Sequence, residues 1–91
     1  MTLEKDLERG MRAERLLKDD LLAEAFDSVR TAIFERIEST PIRDTDGLTQ
    51  LRLMLKLLKD LRANLEQAIR DGKLASEALK MEKEPKLRVF R

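Results

Sequence analysis

The chain has 91 residues, no Cys, no His and a formal net charge of +1; 41% of it is charged and 42% hydrophobic. That length fits one small domain. The missing residues exclude disulfides, Cys/His zinc or iron–sulfur sites, and the His-based nucleophile pairs of many hydrolases.

The first predicted helix covers about 3–18. Leu3, Leu7, Met11 and Leu17 fall near one face, and Gly10 interrupts it at a cost of about 1 kcal/mol relative to Ala. Such a segment needs something to pack on it. The MTLEKDLERG start is charged throughout and lacks the apolar core of a signal peptide, so the expected setting is a cytoplasm. Asp19-Asp20 marks a new start, because an Asp carboxylate accepts from the free N–H groups of a helix N-terminus. The second helix then runs over about 20–38. Leu22, Phe26, Val29, Ile33 and Ile37 recur at helical spacing as one stripe, widened by Ala25 and Ala32. Phe34 lies off that stripe.

The next stretch, STPIRDTDGL (39–48), reads as the turn of an αα-hairpin. Pro41 disfavours helical geometry at Thr40, and Asp44, Thr45 and Asp46 are three candidate N-caps. Ile42, the only large apolar residue inside the turn, is expected to fold back onto the hairpin end. The third helix is predicted over about 47–71, with Asp71-Gly72 as its stop and Gly72 at the left-handed C-terminal position. Wound at about 100° per residue, Leu48, Leu51, Met54, Leu55, Leu57, Leu58, Leu61, Leu65, Ala68 and Ile69 cover about half the cylinder, with Leu53 beyond one edge. A single antiparallel partner needs a narrower stripe. A short fourth helix over about 74–83 is predicted from Leu74, Ala75, Ala78, Leu79 and Met81. Pro85 closes it, and PKLRVFR (85–91) reads as an extended arm. The expected fold class is therefore all-α: one domain over 1–84, a helical hairpin with flanking short helices, and a C-terminal arm.

Four features bear on function. The wide face of helix three is either covered by helices one and four of the same chain or used for self-association. Phe34, Leu53, Leu57 and Leu61 are the interaction candidates there, since burying a Leu or Phe is worth about 1.5–3 kcal/mol. The arm carries Leu87, Val89 and Phe90, the apolar content a strand-like latch needs to reach a partner. Successive segments 1–20, 21–46, 47–72 and 73–91 carry −1, −3, +2 and +3; the basic excess of the second half is small and interspersed with acids, so direct nucleic-acid contact ranks below protein association. No stretch approaches the ~20 uncharged apolar residues of a membrane span, and the polar face of helix three, with Asp60 and Glu66 and no Trp at its boundary, argues against a membrane surface. Asp19, Asp20, Asp44 and Asp46 sit at helix starts, where capping explains them, and they lack calcium-loop spacing. No catalytic residue, cofactor or metal is expected.

Residues 16–75 carry a pattern with a familiar look: Leu16-Leu17, Leu21-Leu22 and Glu24-Ala25-Phe26, then Thr40-Pro41 with Arg43-Asp44-Thr45, then Asp71-Gly72-Lys73-Leu74-Ala75. This resembles small helical proteins encoded among the head and packaging genes of tailed bacteriophages and prophages. The chain departs from the expected pattern in helix two, which has Ile33 and Phe34 where Trp or Tyr would be expected. The resemblance implies a non-enzymatic structural or assembly role in the virion, built in the host cytoplasm. The implied partners are copies of the chain and a larger capsid or portal protein. The alternative is a small terminase-like DNA-packaging or regulatory protein that contacts DNA through its basic half. A coiled-coil adaptor of cellular origin is a third reading.

Overall fold

The computed structural model describes residues 2–83. The fold is all-α: α1 is Leu3–Leu17, α2 is Asp20–Ser39 and α3 is Thr45–Lys83, and among the described residues there is no strand. The predicted arm at 85–91 lies outside the described residues.

The helix starts follow from local chemistry. Thr2 opens α1: its Oγ1 accepts from the Lys5 N–H at 3.1 Å, and its carbonyl accepts from Asp6 N–H at 3.0 Å. Glu4 and Asp6 place negative charge in that first turn. Asp19 caps α2. Its backbone is extended, at φ −73° and ψ 119°, and its carboxylate accepts from the N–H groups of Leu21 at 2.8 Å and Leu22 at 3.2 Å.

The turn at 40–44 answers to Pro41. Thr40, the residue before it, is extended at φ −88° and ψ 128°. The last turn of α2 is finished by side chains: Thr40 Oγ1 donates to the Arg36 carbonyl at 2.6 Å, and Ser39 Oγ donates to the same oxygen at 3.2 Å. Asp44 N–H then donates to the Pro41 carbonyl at 2.9 Å, closing a four-residue turn. Of the three candidate caps, Asp44 takes the role. Its Oδ1 accepts from Gly47 N–H at 2.9 Å, and its carbonyl accepts from Leu48 N–H at 3.1 Å. Helix three therefore begins at Thr45, two residues before its expected start. Ile42 does not fold back. It is 89% exposed, because the tight turn puts it at the outward second position.

The helices divide into two compact units. The first comprises residues 1–16 and 65–91, of which 2–16 and 65–83 are described. Here α1 packs against the C-terminal half of α3 through small residues: Gly10, Ala13, Ala68, Gly72 and Ala75 are all buried. The expected helix end at Asp71-Gly72 does not occur. The predicted third and fourth helices are one continuous helix of 39 residues, and no glycine has a positive φ. The reason is contact. A Cβ added at Gly72 would sit 2.9 Å from Gly10 Cα and 3.2 Å from the Asp6 carbonyl oxygen, and one added at Gly10 would sit 2.8 Å from both the Ala68 carbonyl oxygen and Gly72 Cα. Two backbones touch where the glycines meet, so the glycines serve approach between helices rather than chain reversal. Asp71 stays in the helical ladder, and its carboxylate accepts from Gln67 Nε2 at 2.8 Å.

The second unit, residues 17–64, is the hairpin of α2 with the first half of α3. Ile33 and Leu51 are buried at its seam, at 3% and 6% exposure. Leu22, Phe26 and Ile37 from α2 and Leu48, Leu55 and Leu58 from α3 are half-buried beside them. Four of the five expected stripe residues of helix two thus line the seam. The fifth, Val29, lies 48% exposed on its flank, and Ala25 and Ala32 are exposed with it.

Candidate functional site

The hairpin has two flanks, and each exposes apolar surface. On one, an open groove of about 340 Å³ runs between α2 and α3. Phe26 and Phe34 line it from α2, and Leu55 and Leu58 from α3. Its polar lining is Asp27, Arg30, Lys59 and Arg62, three cationic side chains and one carboxylate. The spacing explains the lining: Phe26, Arg30 and Phe34 form one row with a period of four, as do Leu55 with Lys59 and Leu58 with Arg62. Such rows are ridges on a helix surface, and the groove is lined by these three.

Away from the groove, α3 carries a second surface. Leu53, Leu57 and Leu61 are 55%, 60% and 55% exposed, and Met54 is 43% exposed. Successive members of the Leu53, Leu57, Leu61 row lie about 40° apart around the helix, so the three share one stripe. Gln50 and Asn64, both exposed, stand at its ends in the same angular sector. Asn64 Nδ2 donates to the Asp60 carbonyl at 3.0 Å. Along one edge, Lys56 Nζ meets Asp60 Oδ2 at 3.1 Å, with both side chains largely exposed. A pair of that kind in water adds little to stability.

In the first unit, a smaller cleft of about 160 Å³ lies beside the glycine contact, with Leu7, Met11 and Ile69 among its walls. Among the described residues no group of three His, Cys, Asp or Glu side chains is arranged to hold a metal ion. Nor is any helix of the described residues long and apolar enough to cross a membrane.

The sequence candidates fall as follows. Phe34 lines the groove at 48% exposure, while Leu53, Leu57 and Leu61 form the α3 stripe on another face. The four are all exposed, but they belong to two surfaces and not to one. Leu87, Val89 and Phe90 lie outside the described residues. Sequence reasoning missed Phe26, Leu55 and Leu58 as groove walls because it placed Phe26 in the helix-two stripe and Leu55 and Leu58 in the wide face of helix three without separating the sides of either. Their period-four pairing with Arg30, Lys59 and Arg62 was the available signal. No protein family, curated protein or solved structure matches this chain. The comparisons therefore add no family or activity to the geometry.

Proposed function

We propose that this protein is a non-enzymatic association module, a helical hairpin held in place by other protein subunits. The observation that carries the reading is the exposure of Leu53, Leu57 and Leu61 together on one stripe of an otherwise highly charged helix. Scattered apolar residues on a surface are ordinary, but a contiguous stripe is the signature of a protein contact. The seam shows why the surface is left over: α2 covers Leu51 and its neighbours, and one helix cannot cover half the circumference of another.

The resemblance of residues 16–75 to proteins from phage head and packaging genes makes a virion shell the setting of this proposal. A larger capsid or portal protein is then the second partner, reached through Leu87, Val89 and Phe90. The test has two parts. Light scattering on the purified chain should give a mass above one chain that falls toward one chain in Leu57→Glu with helicity unchanged. Deleting residues 85–91 should leave the circular dichroism spectrum intact and abolish incorporation into particles; normal incorporation would remove the latch. The DNA-packaging alternative makes the opposite demand. Binding to DNA should appear and should fall steeply with salt, as release of counterions from phosphates requires.

A further inference from the structure

The stripe on α3 is symmetric about Leu57. Leu53 lies four residues before it and Leu61 four after; Gln50 lies seven before and Asn64 seven after. Wound at about 100° per residue, all five fall within about 40° of the direction of Leu57, and no other residue between 47 and 67 does. The order along the stripe is amide, Leu, Leu, Leu, amide. We propose that two copies of the chain pair antiparallel along this stripe, with the two-fold axis at Leu57. This rests on the association reading above and specifies its partner and geometry.

Under that operation each residue faces the one equally far on the other side of Leu57. Leu57 meets its own copy, Leu53 meets Leu61 twice, and Gln50 meets Asn64 twice. The leucines bury their exposed surface on one another, and the two amide pairs close the ends, since each amide carries both donors and an acceptor. Polar residues at a helix seam fix register at some cost in stability, and the two Gln50–Asn64 pairs would hold this register about Leu57.

Charge supports the same arrangement. Lys56 and Asp60 lie on one edge of the stripe, and antiparallel pairing brings like edges together. Lys56 faces position 58 of the other copy, two residues, or about 3 Å, from Asp60. The existing Lys56–Asp60 pair thus extends into a ring of four alternating charges across the two-fold axis. A parallel pairing brings opposite edges together, so the Lys56 and Asp60 edge would face the Met54 edge of the other copy and gain no charged partner.

The experiment is disulfide trapping in the full-length chain, which has no native cysteine. Leu57→Cys should oxidise to a covalent dimer rapidly, because the residue meets itself. Leu53→Cys alone should not, since its two copies are separated by about eight residues of helix, or ~12 Å; Leu53→Cys with Leu61→Cys in one chain should cross-link again. Lys56→Glu should weaken the dimer by roughly tenfold, and Lys56→Glu/Asp60→Lys should restore it. Cross-linking of Leu53→Cys as fast as Leu57→Cys overturns the antiparallel register. A chain that is multimeric by light scattering yet fails to trap at position 57 overturns this inference and leaves the association reading standing. A chain that is monomeric at every concentration overturns both.

Discussion

The two compact units use opposite packing. In the first, α1 meets the C-terminal half of α3 through Gly10, Ala13, Ala68, Gly72 and Ala75, so backbone rather than side chain fills the contact. In the hairpin the contact is made by Ile33 and Leu51 with half-buried Phe26, Leu55 and Leu58 around them. Small residues make a contact that cannot be widened or repacked without moving a helix. Large residues make a seam with flanks, and the flanks are where Phe34, Leu53, Leu57 and Leu61 stand exposed. Close approach thus belongs to the first unit, though Met11, Leu74 and Met81 stand exposed there too, and the row of exposed leucines belongs to the hairpin.

That contrast can be broken most strongly at the hairpin seam. Leu51→Ala should cost about 3 kcal/mol in urea unfolding, the sum of lost burial and an unfilled space. A cost below about 1 kcal/mol would mean the seam is not a core. Gly72→Ala sharpens the other side, because two effects there oppose each other in sign. Helix propensity alone would stabilise by about 1 kcal/mol. A Cβ at 2.9 Å from Gly10 Cα should overturn that gain, leaving a net loss of about 1–2 kcal/mol, since backbone cannot step aside as a side chain can. A more stable Gly72→Ala protein would contradict the glycine contact. Next in size is the cap: Asp44→Ala removes the acceptor for Gly47 N–H and should cost about 1 kcal/mol, with Asp46→Ala changing stability much less. The smallest effect is expected at Ile42. At 89% exposure, Ile42→Ser should lie within about 0.5 kcal/mol of the parent.

What the sequence disclosed follows the range of the forces involved. The start of α2 and the turn between α2 and α3 are set within four or five residues, by Asp19, Thr40-Pro41 and Asp44, so a local reading finds them. The seam residues Leu22, Phe26, Ile33 and Ile37 declare themselves by period. Gly72 could not be read this way. After Asp71, a glycine has the local appearance of a helix stop, and what keeps the helix going is a contact with Gly10, far away in sequence. The two glycines make sense only as a pair, and each alone looks like a weakness. Ile42 misled for the opposite reason: hydrophobicity suggested burial, but the turn geometry left it nothing to reach. For the candidate surface, helical winding singled out Phe34, Leu53, Leu57 and Leu61 but left open whether helices one and four of the same chain cover them. Their separation onto two faces depends on which side of α3 is taken by α2, and the width of the stripe alone does not fix that.

The most direct measurement is the mass of the unmodified full-length chain by sedimentation equilibrium over a hundredfold range of concentration. Exposed leucines in a row predict a mass that rises with concentration and moves toward a single chain when Leu57 is replaced by Glu. A mass equal to one chain throughout, identical for the parent and Leu57→Glu, would contradict the claim that this protein works by being held by other subunits.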